Sequence, residues 1–184
     1  MKLERRFTAY QMDLPEIEIP DPSLVLLIGP SGAGKSTFAA KHFSPTQVIS
    51  SDRCRAMICD DESNQNINAE TFGLLHHLTR LRLAAQRLTV IDATNLQFRA
   101  RRPLLRMARA HRLPAIAIIF NVSLATCQRH NRTRPQRLVN EEVLAQHRQQ
   151  LLTALTHLER EGYRHIYWLA EAELSCAKVK INRA

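Results

Sequence analysis

Residues 29–36 read Gly-Pro-Ser-Gly-Ala-Gly-Lys-Ser. The whole chain has 5 glycines, and three of them, Gly29, Gly32 and Gly34, fall inside this stretch. Glycine lets the backbone take positive φ and lets a ligand come close to the main chain. Immediately before the stretch runs Leu24-Val25-Leu26-Leu27-Ile28, a continuous apolar run that reads as a buried parallel strand. Immediately after it, Ser36 to Phe43 reads as a helix. A strand, a glycine-rich loop of pattern G-x-x-x-x-G-K-[ST] and a helix together form a phosphate site. The loop amides and the helix N-terminus would cradle the phosphates. That assigns Gly29, Ser31, Gly32, Ala33, Gly34, Lys35, Ser36 and Thr37 to nucleotide binding. Lys35 would reach the β/γ-phosphates of ATP, and the Ser36 hydroxyl would hold Mg²⁺. The four fixed positions match by chance at roughly one site in 10⁴, so a random glycine-rich turn is a poor explanation.

The rest of the chain alternates strands with helices. Val48–Ser50, Leu88–Ile91, Ala115–Phe120 and His165–Leu169 read as further strands, and Ile17-Glu18-Ile19 as a short edge strand. Residues 69–87, 98–112 and 141–161 read as helices, and 52–67 as an irregular loop or short helix. This alternation predicts an α/β fold with a mainly parallel five-stranded sheet and helices on both faces. The 184 residues make one domain with a single well-buried core. No apolar run approaches the ~20 residues of a membrane span, and Met1–Arg6 is charged with no apolar stretch following, so neither a membrane nor a secretory route is expected. Cys54, Cys59, Cys127 and Cys176 show no C-x-x-C pairing and read as reduced thiols of a cytoplasmic protein. His76-His77 has no matching Cys/His/Asp set, so a metal centre there is not expected.

In a parallel sheet, ligands bind beyond the carboxyl ends of the strands. Four polar motifs follow expected strands and should converge there: residues 29–36, 51–55, 92–95 and 121–137. Asp52, after Val48–Ser50, fits the base that takes the proton of an acceptor hydroxyl as the γ-phosphate leaves ATP. Arg55, one helical turn on, could bind a second phosphate on that acceptor. The plainer alternative has Asp52 capping a helix and Arg55 solvated. Asp92 closes the third strand as an acid that could sit behind the waters of Mg²⁺, and Thr94 and Asn95 could hydrogen-bond substrate or a neighbouring loop. Arg129, Arg132, Arg134 and Arg137 form an arginine-bearing lid over about 121–140.

The formal charge is +9 and comes mostly from arginine. Such excess attracts polyanions, and arginine suits bidentate phosphate contacts. Arg99, Arg102, Arg106 and Arg109 share one face of the 98–112 helix, either a nucleic-acid stripe or simply its solvent side. Phe and Trp are too few and scattered for a base-stacking platform.

Together, the phosphate loop, S-S-D-x-x-R at 50–55, D-D-E at 60–62, D-A-T-N at 92–95 and the spaced arginines of 129–137 resemble the 5′-OH polynucleotide kinase domain of bacterial RNA/DNA end-healing repair enzymes. The resemblance spans roughly residues 17–170. It implies a P-loop NTPase-type three-layer fold with an arginine-bearing lid, one kinase domain over 1–184, and transfer of the γ-phosphate of ATP, with Mg²⁺, to 5′-OH ends of RNA or DNA. It implies that Lys35 and Ser36 bind ATP·Mg²⁺, that Asp52 is the general base and that Arg55 contacts the acceptor's 3′ phosphate. It also places the lid arginine at Arg134, against the transferring phosphate. The family lid carries an arginine before the asparagine; His130 stands there, ahead of Asn131. Those enzymes continue into phosphatase and ligase-like domains, so the chain reads either as an excised domain or as a kinase whose partners supply those activities. Two other readings share the loop: a small-molecule or nucleotide-sugar kinase, and a non-catalytic nucleotide-dependent binding module.

Overall fold

The computed structural model describes residues 16–133 and 139–183. The apolar run is strand β2 (Leu24–Ile28), preceded by β1 (Glu16–Asp21) and followed, through the glycine loop, by helix α1 (Lys35–His42). Next come β3 (Val48–Ser50), α2 (Ser51–Cys59), α3 (Asn68–Ala84), β4 (Thr89–Asp92) and α4 (Phe98–Ala110). The chain continues through β5 (Ala115–Asn121), α5 (Leu124–Arg132), α6 (Glu141–Leu155), β6 (His165–Ala170) and β7 (Lys178–Arg183).

Five strands form one sheet in the order β3-β4-β2-β5-β6, with every pairing parallel. All five residues of β2 are buried because both sheet faces are covered. Leu24, Leu26 and Ile28 point to one face, where Leu75 and Leu83 of α3, Leu104 and Leu105 of α4 and Leu151 of α6 pack. Val25 and Leu27 point to the other, against Phe38 of α1 and Cys127 of α5. Burying a Val, Leu or Ile side chain stabilises by about 1.5–3 kcal/mol, so this central strand anchors both layers. Winding runs outward from β2 to β3 and β4, then crosses to β5 and β6. The reversal beside β2 opens a crevice at the strands' carboxyl ends.

The expected elements are present, with two differences, and the segment read as loop or short helix opens as a helix, Ser51–Cys59, capped by Ser50, whose side chain accepts from Arg53 N at 3.4 Å. Helix α6 ends at Leu155 rather than 161, the chain passing through a 3₁₀ turn over Leu158–Arg160 before Gly162. The edge strand β1 pairs not with the main sheet but in parallel with β7, which was not expected. That second sheet buries Ile17 and Ile19 on the α1–α5 face. The Tyr167 hydroxyl ties it to β6, donating to Glu18 O (3.0 Å) and accepting from Glu18 N (3.2 Å). Among the described residues no helix is long and apolar enough to cross a membrane.

Candidate active site

The loop between β2 and α1 turns tightly around its own backbone. Gly32 has φ +78°, and a Cβ there would lie 2.6 Å from Cys127 O; Gly34 has φ +89° and starts α1. Side-chained residues rarely adopt such angles, which explains why glycine concentrates here. The Lys35 ammonium is buried and donates to Gly29 O (2.9 Å) and Pro30 O (2.6 Å), arching over the loop. The ends of β2 and β4 are joined by Gly29 N donating to Thr94 O at 3.0 Å.

Not every loop residue faces the crevice. Ser31, Gly32, Gly34 and Lys35 line a cavity of about 570 Å³. Gly29 and Ala33 are buried behind it, with their amides engaged on Thr94 O and Pro30 O, so here neither amide is turned to a phosphate as expected. Thr37 lines a neighbouring hollow of about 620 Å³ with Gly34, Lys41, His130, Thr133 and Leu174. Ser36 is exposed on the first turn of α1.

Helix α2 delivers the next pair. Ser50, not Asp52, is the cap, and Asp52 in the first turn lines the cavity. Arg55 lies one turn further on and is not solvated: it is 3% exposed and also lines the cavity. Its Nη1 donates to Asp52 Oδ1 (3.2 Å) and Glu62 O (2.9 Å), and its Nη2 to Asn68 Oδ1 (2.9 Å). Its Nε is buried with no hydrogen-bond partner among the described residues. Asp52 is 16% exposed at its side chain. Asp92 ends β4, buried in the cavity wall beside Thr94.

Asn95, expected at the substrate, is turned the other way. Its backbone is left-handed (φ +49°) and its buried amide donates to Leu27 O at 2.8 Å. It clamps the end of β2 and does not line the cavity. Arg101 holds the same loop from below, donating to Asn95 O and Leu96 O, both at 2.7 Å.

Sequence reasoning missed the far wall. His147 of α6 lines the cavity and accepts from Ser31 N through Nδ1 at 3.5 Å. Burial and then the Lys35 charge hold this imidazole below its usual pKa, consistent with the unprotonated nitrogen an acceptor needs. His130, at the lid position, donates from Nδ1 to Gly32 O at 2.9 Å. Asn131 and Val139 also line the cavity, pinned by Asn131 Nδ2 donating to Val139 O (2.7 Å) and Val139 N donating to Asn131 Oδ1 (3.0 Å). A lone histidine on an amphipathic helix carries no local signal, which is why the sequence did not expose His147.

Arg134 and Arg137 lie outside the described residues. Arg129 and Arg132 of α5 are exposed and paired with Glu171 (3.4 Å) and Glu141 (2.9 Å), away from the cavity lining. Arg99, Arg102, Arg106 and Arg109 are all exposed on α4, whereas Arg101 beside them is buried. Among the described residues no group of three or more His, Cys, Asp or Glu could hold a metal ion, and all four cysteines are free.

A parallel sheet with a phosphate loop after its central strand, an acid and arginine after the next, and an acid closing a third defines a P-loop α/β domain. A family profile described as an AAA domain matches residues 24–158, and the chain belongs to that family. Solved structures show the same fold at low identity. A chain of the Pnkp1/Rnl/Hen1 RNA repair complex aligns with TM-score 0.63 and 17% identity, covering 80% of this chain and 48% of that one. This chain therefore spans about half the length of that protein. A chain of the PezAT chromosomal toxin–antitoxin system of Streptococcus pneumoniae aligns with TM-score 0.58 and 14% identity, covering 94% and 77%. A gluconokinase from Sinorhizobium meliloti aligns with TM-score 0.51 and 16% identity, covering 83% and 85%. A comparison with curated proteins finds no match.

Proposed function

We propose that this chain is an ATP-dependent kinase that phosphorylates the 5′-OH end of RNA or DNA. The observation that carries the reading is Arg55. Its guanidinium pairs with the Asp52 carboxylate on the wall of the cavity that the phosphate loop also lines, which puts a cation for a phosphate and a base for a hydroxyl side by side, as an acceptor bearing both requires. The net charge of +9 supports a polyanionic acceptor. The likeness to a chain of an RNA repair complex points the same way.

In this reading Asp52 takes the proton of the 5′-hydroxyl. The freed oxygen bonds to the γ-phosphorus, the bond to the β–γ bridging oxygen breaks, and ADP leaves. Lys35 offsets charge on the transferring group, and Arg55 fixes the acceptor by its 3′ phosphate. Positioning and electrostatics supply most of the catalysis in such transfers. Mg²⁺ favours few protein ligands plus waters and substrate phosphates. Asp92 on the cavity wall and the exposed Ser36 hydroxyl at the start of α1 are the oxygen groups that would hold the ion, which would neutralise phosphate charge. Arg134, from the segment between Asn131 and Val139, is assigned to the transferring phosphate. The protein is assigned to the cytoplasm, with end-processing phosphatase and ligase activities supplied by separate proteins or by further domains.

A second reading, a small-molecule kinase, draws on Ser63, Gln65 and Asn68, which give the cavity wall hydroxyl and amide groups able to bind a polyol. Transfer of labelled γ-phosphate from ATP, with Mg²⁺, to 5′-OH oligonucleotides separates the two. Transfer by the wild type, reduced at least 100-fold in both Lys35→Ala and Asp52→Ala, is expected. ATP binding without transfer to any oligonucleotide would refute the polynucleotide reading.

A further inference from the structure

A second groove lies next to the cavity along α6. Val143 and His147 line the cavity, and Gln146 and Gln150, on the same stripe of α6, line this groove of about 520 Å³. The opposite wall is equally continuous: Thr94 belongs to the cavity, and Leu96 to Phe98, two to four residues on, belong to the groove. From Val143 to Gln150 is about 10 Å along the helix. The groove therefore lies beside the cavity, along α6 and the segment after β4.

We propose that this groove between the start of α4 and α6 receives the second nucleotide of the acceptor strand, its base stacked on Phe98. The inference rests on the polynucleotide reading above. Phe98 is 51% exposed at the groove wall, which leaves a ring face open to a stacking partner. Bases stack on such rings whatever their identity. Gln146 and Gln150 offer amide donors and acceptors to base edges without specifying one base. The charge around the groove fits a polyanion. Arg99 and Arg102 stand exposed on the first turns of α4, and Arg160 lines the far end. The carboxylate in the lining, Glu161, is taken up by Arg101 in a buried pair. One exposed ring is no platform for a long strand, but it suffices for one base.

The test compares three acceptors: a nucleoside 3′-monophosphate, a dinucleotide and a pentanucleotide, each with a 5′-OH, against wild type and Phe98→Ala. Because Phe98 is exposed, the variant is expected to melt with the wild type, which thermal unfolding verifies. In the wild type kcat/KM rises about tenfold from the mononucleotide to the dinucleotide. In Phe98→Ala that rise is lost while mononucleotide transfer is unchanged, and binding of the labelled pentanucleotide by fluorescence anisotropy weakens by a similar factor. If the wild type shows no rise, or the variant keeps it, the inference is overturned and the groove serves another occupant such as a protein segment, with the kinase reading intact. If none of the three acceptors is phosphorylated, the kinase reading fails and the groove assignment falls with it.

Discussion

Replacing Arg101 by methionine should cost this protein a large part of its stability. The side chain is 1% exposed and Glu161 4%. Its Nε donates to Glu161 Oε2 at 2.8 Å, and Nη2 closes the second arm of the fork on Oε1. Nη1 serves the carbonyls of Asn95 and Leu96. Methionine matches the volume but strands a buried carboxylate and two carbonyls. Removing one partner of a buried pair costs about 3–5 kcal/mol. At about 2–4 °C per kcal/mol for a chain of this size, Tm should fall by roughly 10 °C. The double variant Arg101→Met/Glu161→Leu removes the stranded charge but not the orphaned carbonyls, so it should recover about half the loss. Calorimetric or circular-dichroism melts of the three proteins measure this. A single variant melting within about 2 °C of wild type, or a double variant no more stable than the single, would show that the pair does not hold the 93–97 loop as argued.

Two further outcomes follow from the loop and its far wall. Gly32→Ala forces a Cβ to 2.6 Å from Cys127 O at a φ of +78°, a cost of about 2 kcal/mol or more; the melting temperature should fall and ADP binding by titration calorimetry weaken at least tenfold, and an unaltered protein would contradict the loop geometry. His147 carries a lowered pKa, so on acidification the unfolded chain takes up its proton first. Its contribution is therefore present above pH ~6.5 and lost as pH falls below that, a direction that His42 and His76 share through burial. The drop in urea midpoint from pH 7.5 to 5.5 should be smaller in His147→Gln than in wild type, and equal drops would refute the assignment.

Much of the architecture was legible because it rests on local patterns. Five apolar runs of strand length, separated by helical periodicity, left few folds other than a covered parallel sheet. The loop motif named its own conformation, since Gly32 and Gly34 sit where side chains do not fit. Strand β7 was also within reach, as Lys178-Val179-Lys180-Ile181 alternates charged and apolar residues. Its partner was not, because pairing with β1 joins residues some 160 positions apart.

The candidate site divides along the same line. Lys35, Asp52, Arg55 and Asp92 were placed by the sequence at or just after strand ends, and the parallel sheet brings those ends together around one cavity. Orientation was not readable. Asn95 follows a strand too, yet its left-handed backbone swings the amide under the sheet onto Leu27 O. Arg101 looks in sequence like its exposed neighbours Arg99 and Arg102, and a rotation of about 100° per residue on α4 puts it in the core against Glu161. His147 and Phe98 carry no motif at all; they matter through what α6 and α4 lie against. The amino-acid sequence by itself determined the sheet, the phosphate loop and the acid–arginine pair, because those depend on residue type and spacing of a few positions. Only the tertiary structure decided which side chains face the cavity, because that depends on helix rotation and on contacts between segments far apart in the chain.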